Sequence, residues 1–299
     1  MKLYHYGLCA TLNTNNGLQR AFKKYYDYRE SHTSVPSRNV ITDIKSFKPD
    51  VLFTQIQTPN VITVDFINQI KPYCGRIINF TGDVREPTPQ WYFDIGRVIN
   101  KTLFVSNVDV LNARNNGVNS DWIQIGFDDE IFNDKKEPCP TSEIVFMANN
   151  YNHFPLSSYR VEIANALRNE FGSRFQLYGS GWKIPSLDSN GSLEHQASIL
   201  RGCKIAINCS NMNHSLYTSD RMLKIMGSGA FCLSHEFQDC QELYNNTENI
   251  VIFNSISQLI SQCHLYLNDT AKREEIAKNG YYLTHSLYTW DKFVNNIIK

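Results

Sequence analysis

The sequence has no excess charge of either sign: 29 Lys and Arg stand against 29 Asp and Glu in 299 residues. Global charge therefore names no polyanionic or polycationic partner. Nowhere do 18 apolar residues run together, so no membrane-spanning helix is expected. The opening MKLYHYGLCATLNTNNG has one Lys and no apolar block of signal-peptide length, which argues against secretion by that route. Eight cysteines occur, at 9, 74, 139, 203, 209, 232, 240 and 263, but no two form Cys-x-x-Cys, and most lie in or beside apolar runs. They read as reduced thiols of a cytoplasmic protein, not as a disulfide frame, zinc clasp or redox pair.

What is present is a regular alternation. At this length two domains are expected. In the first half KLYHYG, DVLFTQ, GRIINF, KTLFVS and DWIQIG read as strands, while GLQRAFKKYYDYRE, VITVDFINQIKPY and VDVLNARNNG read as helices. The polar stretch FDDEIFNDKKEPCPTS interrupts the pattern, placing a boundary near residues 127 to 141. Beyond it come strands EIVFMA, RFQLYG, KIAINC, AFCLS and NIVIF, interleaved with helices, and then a helical tail over SISQLISQCHLYLN, TAKREEIAKNGYYLTH and YTWDKFVNNII. The expected architecture is α/β, two doubly wound Rossmann-like domains at residues 1–130 and 142–299.

Three loops of the second domain should open on one sheet edge, beyond the strand carboxyl ends where such folds bind ligands. In LYTSDRMLKIMGSGAFCLS, Ser219 or Asp220 can cap a helix whose first turns carry Arg221 and Lys224. Free N–H groups, the helix dipole and two cations there describe an anion site, most simply for a diphosphate. FQLYGSGWK adds Gly179 and Gly181, where backbone can approach a ligand, with Tyr178, Trp182 and Lys183. VFMANNYNHFPLSSYR adds Asn149, Asn150 and Arg160. His214, in the loop before the Arg221 helix, is a further ligand-contact candidate.

These motifs, with the tail LYLNDTAKREEIAKNGYYLTHSLYTWDKFVNNI and, in the first domain, NFTGDVREPTPQWYFDIG, TLFVSNVDVLNARNNG and IQIGFDDEIF, resemble glycosyltransferases of the GT-B fold, in particular the CgeB-like glycosyl transferases group 1 proteins. The resemblance covers most of residues 75 to 299. It implies a nucleotide-sugar donor on the second domain, with UDP as the expected nucleotide, an acceptor mainly on the first, and chemistry in a cleft that the domains face. Related enzymes commonly carry a Glu in the donor-site helix; here Lys224 stands in that region and no Glu follows until Glu236.

Transfer from a nucleotide diphosphate must stabilise charge on the leaving group and assist the attacking hydroxyl. Metal-dependent transferases of the other common fold use Asp-x-Asp, which is absent, so Arg221, Lys224 and Lys183 are expected to serve without a metal or other cofactor. Asp83, just past the strand GRIINF, is the candidate base. Its use would invert the anomeric centre; transfer without a base would retain it. His5, within the first strand, reads as a packed sheet residue.

Residues 1 to 48 hold eight Lys and Arg against three Asp and Glu, and RAFKKYYDYRE interleaves aromatics with charges. That pattern fits either a solvated helix face or a phosphate-bearing acceptor such as hydroxymethylated DNA. A nucleotide-sugar epimerase and a non-catalytic nucleotide-sugar binder of the same fold are the competing classes.

Overall fold

The computed structural model describes residues 1–9, 16–56, 58–188 and 191–297, and these divide into two compact units, Met1–Ile125 with the segment from Phe293 onward, and Gly126–Lys292. The first unit runs β1 (Lys2–Gly7), α1 (Asn16–Tyr25), β2 (Asp27–His32), α2 (Ser37–Phe47), β3 (Val51–Thr54), α3 (Val64–Ile70), β4 (Arg76–Thr81), α4 (Gln90–Val98), β5 (Lys101–Phe104), α5 (Asn107–Asn115) and β6 (Ser120–Trp122). Its six strands form one sheet in the order β2-β1-β3-β4-β5-β6, with every pairing parallel. The second unit runs β7 (Ile144–Met147), α6 (Ser157–Phe171), β8 (Phe175–Tyr178), α7 (Leu193–Gly202), β9 (Ile205–Asn208), α8 (Asp220–Gly227), β10 (Cys232–His235), β11 (Val251–Phe253), α9 (Ile256–Asn268) and α10 (Thr270–Leu287). Its sheet, β11-β10-β9-β7-β8, is likewise all parallel. The closing helix α11 spans Trp290–Ile297.

Parallel strands covered on both faces must be apolar on both, which is why VLFT, IVFM and IAIN are near-continuous apolar runs. In β1 the faces divide by parity. Tyr4 and Tyr6 enter a core with Ile44, Leu52, Phe66, Ile77 and Tyr92. His5 points to the opposite face, where its ring lies 5.6 Å from Phe22 and 5.3 Å from Phe53, and the aromatic series continues through Phe80 to Phe293, 4.8 Å apart. Burial there lowers the His5 imidazole to about 4, against weaker raising influences from Gln55 and Glu30, so the ring is neutral at pH 7. In the second unit Ile144, Phe146, Ile163, Leu167, Phe231, Leu259 and Tyr266 share one core.

One helix expectation is corrected. GLQRAFKKYYDYRE is not a single helix: α1 stops at Tyr25, and Asp27–His32 pairs parallel with β1 from Lys2↔Asp27 to Gly7↔His32. Because β2 is the sheet edge, its exposed positions tolerate Asp27 and Arg29, and its polar composition concealed it. Two helices, α2 and α4, lie outside the alternation read from sequence; each directly follows a proline, Pro36 and Pro89. The stretch expected to join the domains is held in place: Phe127, Ile131 and Phe132 are buried, and Arg201 donates to the Asn133 carbonyl at 3.1 Å.

Candidate functional site

In the second unit, strands β7 and β9 are neighbours, and their carboxyl ends lead through loops to the starts of α6 and α8. Arg160, one turn into α6, is 0% exposed. Its guanidinium lies 5.7 Å from the Phe146 ring centroid and 5.6 Å from that of Trp182. Trp182 is fixed by donating Nε1–H to the Ala148 carbonyl at 2.6 Å and by edge contact with Phe146 at 5.5 Å. Arg160 Nη1 donates to Asn211 Oδ1, but its Nε and Nη2 have no hydrogen-bond partner among the described residues.

Burial, and then repulsion from the nearby Arg221, pull Arg160 down to about 9, which still leaves it charged at pH 7. A buried cation without a carboxylate costs several kcal/mol even after relaxation. Cation–π contacts with two rings recover only about 0.5–2 kcal/mol each. The remaining unsatisfied donors, set side by side on a planar fork, match an oxyanion. Nearby, the Asn150 Oδ1 is also buried without a partner among the described residues.

Arg221, in the first turn of α8, donates from Nη1 to the Cys209 carbonyl at 3.0 Å and to Asn208 Oδ1 at 3.4 Å, which pins it to the end of β9. The expected cap is corrected. Ser219 occupies the N-cap position, but its hydroxyl donates to Asn208 Oδ1 at 3.0 Å and does not cap the helix. Asp220 instead pairs one turn along with Lys224, at 2.6 Å, and the Lys224 ammonium also lies 5.6 Å from the Phe132 ring. Lys224 is therefore already matched by a carboxylate, whereas Arg160 is not.

The glycines have a structural reason sharper than the one expected. Gly179 and Gly181 take φ +114° and +78°, and a Cβ would fall 2.1 Å from the carbonyl oxygens of Ala148 and Asn150 respectively. The close approach they allow is of one loop to another. Asn149 reinforces it by accepting from the Ser180 backbone and hydroxyl at 2.9 and 3.2 Å, and the Asn150 N–H donates to the Ser180 carbonyl. Tyr178 bonds with the Thr141 hydroxyl at 3.2 Å, Lys183 is exposed, and His214 is buried in the β9–α8 loop. In the first unit Asp83 is exposed in the bend after β4, its carbonyl accepting from the Thr81 hydroxyl at 3.2 Å.

Several cations of residues 1 to 48 make contacts within the first unit. Arg29 pairs with Asp43 at 3.2 Å and lies 4.4 Å from the Phe47 ring, while Lys2, Lys23 and Lys45 sit over Phe47, Tyr28 and Tyr73. Sequence reasoning missed Asn208 and Asn211, the polar partners that position Arg221 and Arg160. A signal existed in IAIN, where an amide ends a buried apolar strand.

Residues 160–299 match the family described as Glycosyl transferase-like. No curated protein sequence matches the chain. Among solved structures, Anabaena Alr3699/HepE in complex with UDP and glucose superposes with TM-score 0.69 at 9% identity, covering 100% of this chain and 99% of that one. A glycosyltransferase from Rickettsia africae gives 0.68 at 11% identity over 99% and 97%. Sucrose-phosphate synthase from Thermosynechococcus elongatus gives 0.67 at 8% identity over 99% and 97%. At these identities the likeness establishes the fold. With two doubly wound parallel sheets matched almost end to end, the chain has the GT-B fold, and its residues 160–299 are similar to the glycosyl transferase-like family.

Proposed function

We propose that the protein transfers a sugar from a nucleoside-diphosphate sugar, UDP-linked, to an acceptor hydroxyl without a catalytic metal. The observation that carries this reading is Arg160: a fully buried guanidinium with two nitrogens unsatisfied among the described residues, near a second arginine at the start of α8. A departing diphosphate would receive the free fork of Arg160, the charge of Arg221 and the N–H groups of α8, all fixed before reaction, which is how developing negative charge is stabilised most effectively. HepE, of the same fold, has been crystallised with UDP and with UDP-glucose, which supports this donor class.

Asn149, Asn150, Gly179, Gly181 and Trp182 then act as the scaffold that holds Arg160, with Ser219 and Asp220 fixing the start of α8; Tyr178, Lys183 and His214 remain donor-contact candidates. Asp83 is the proposed base for the acceptor hydroxyl. The contacts of Lys2, Lys23, Arg29 and Lys45 with rings of their own unit give no support to DNA as acceptor, so the acceptor is described only by its hydroxyl. The decisive experiment is calorimetry with UDP, followed by turnover of a UDP-sugar panel. Saturable UDP binding that is weakened at least about tenfold in Arg160→Met, with donor turnover in the native protein, is the expected result; native-like affinity in a folded Arg160→Met protein removes the site.

A further inference from the structure

A second cluster, in the first unit, is not used by this reading. His5 in β1, Cys9 just beyond it and Glu30 in β2 bring an imidazole nitrogen, a sulfur and a carboxylate oxygen within 4.8 Å of one another. His5 and Cys9 are buried and Glu30 is partly buried. The parallel register sets this up, because His5 lies directly opposite Glu30.

The hydrogen bonds decide which atoms are left to take a further ligand. Gln55 Oε1 accepts from the Leu8 backbone N–H at 3.3 Å, and a backbone donor cannot be reversed, so the amide oxygen is the atom facing His5. His5 Nε2, 2.9 Å from that oxygen, must therefore be the protonated nitrogen. The neutral ring then carries its lone pair on Nδ1, which lies 3.1 Å from the Tyr28 hydroxyl. Tyr28 has a single proton, and its bond to Glu30 Oε2 is the shorter, at 2.6 Å. The Nδ1 lone pair thus faces an oxygen whose proton is directed elsewhere. Both bonds to Glu30, from Tyr28 and from Gln19 at 2.7 Å, land on Oε2, leaving Oε1 without a hydrogen bond among the described residues. No Lys or Arg pairs with Glu30 among those residues. Three potential ligand atoms converge, the Cys9 thiol donating its proton to the Gly7 carbonyl at 3.7 Å, and no Lys or Arg answers them among the described residues.

We infer that His5 Nδ1, Cys9 Sγ and Glu30 Oε1 form a site for a borderline divalent cation of the zinc type, with a fourth position open to water or the Tyr28 oxygen. One nitrogen, one sulfur and one oxygen suit zinc better than magnesium or calcium, which take oxygen ligands. Tetrahedral zinc needs ligand atoms about 3.3–3.8 Å apart, so the cluster has to contract by roughly 1 Å. Gln55 already supplies the outer hydrogen bond that orients a ligating histidine. Gly7 makes room for it: a Cβ there would sit 2.7 Å from Gln55 Oε1 and 2.8 Å from His5 Nε2. Binding is balanced by loss of one proton, the Cys9 thiol giving S–M and releasing H⁺ to solvent.

The test uses the full chain, freed of metal by dialysis against a chelator and then titrated with Co²⁺. Expected are one equivalent bound, about one proton released, and a near-ultraviolet thiolate-to-cobalt charge-transfer band. Cys9→Ser should abolish the band, while Cys74→Ser, a change at a distant thiol, should keep it. Glu30→Gln, which retains the hydrogen bonds of Oε2, should weaken binding at least about tenfold, and it carries the test if Cys9→Ser does not fold. Absence of saturable binding by the folded native chain, an unchanged band in Cys9→Ser, or native affinity in Glu30→Gln overturns the site.

Discussion

Arg160 is a residue kept at a cost to stability. It is fully buried, bonded through one nitrogen to Asn211, and its charge is opposed by burial and by Arg221. Methionine fills a similar volume without charge, and replacing a buried ion by a well-packed apolar side chain is often neutral or stabilising. Arg160→Met should therefore leave the ligand-free melting temperature unchanged or higher. The same substitution should weaken UDP binding by roughly 1.5–3 kcal/mol, about 10- to 150-fold. Calorimetry and thermal unfolding on one preparation check both halves; a large loss of stability with intact binding would assign Arg160 to the core. His5 gives a second prediction at this scale. Its folded value, about 4, lies below the ordinary 6.5, so on acidification the unfolded chain takes up the proton first. Its contribution is complete above about pH 6.5 and is lost between there and pH 4, up to about 3 kcal/mol. Glu30, Tyr28 and Cys9 face the same ring, so the comparison is made with metal-free His5→Gln, whose stability should fall less steeply across that window. Parallel curves would remove His5 as the source.

At the scale of elements, the loop after β8 is shaped by two glycines rather than by the aromatic residues around it. Gly179→Ala and Gly181→Ala each combine a positive φ with a Cβ 2.1 Å from a carbonyl oxygen, so the β7–α6 loop must move. Each should destabilise by more than about 2 kcal/mol and, by shifting Trp182, also weaken nucleotide binding. Gly172→Ala is the control: φ +53° with ψ −123° is strained for alanine but nothing lies within 4 Å of its Cβ, so a smaller loss of about 1–2 kcal/mol is expected, without an effect on binding. Melting temperatures of the three variants decide the matter, and equal losses at all three would show that φ alone matters. From sequence these glycines were legible as a strand-to-loop signal, but their reason was not. The atoms they avoid belong to residues about 30 positions earlier, brought near only by the pairing of β7 with β8. The same limit hid β2. Its six residues are polar because they form a sheet edge, and an edge is defined by where the other strands are.

For the whole molecule, binding and chemistry should separate by unit. Asp83→Asn, in the first unit, should keep UDP affinity while lowering turnover by about 10²–10⁴, the usual contribution of a positioned base. A single-turnover rate within a few-fold of native would remove Asp83 from catalysis. Turnover should also survive EDTA and gain nothing from Mg²⁺ or Mn²⁺. Cys9→Ser, unable to hold an ion at the other cluster, should respond in the same way, which separates a metal in the reaction from a metal in the first unit.

The alternation of buried parallel strands with helices is legible in the linear chain, because a strand covered on both faces must be apolar throughout and period and length reveal it. The sequence also marked the three loops at one edge of the second sheet and Arg221 at a helix start. Tertiary structure alone decided which cation is unmatched. Lys224 and Arg160 look alike in a linear chain, but one folds back onto Asp220 a turn away, while the other lies against Phe146 and Trp182 with two nitrogens unsatisfied among the described residues. Local spacing can foretell the first, since helix geometry sets it. The second depends on side chains from β7, the β8–α7 loop and the β9–α8 loop meeting in space, and a linear chain does not encode that meeting in any single segment.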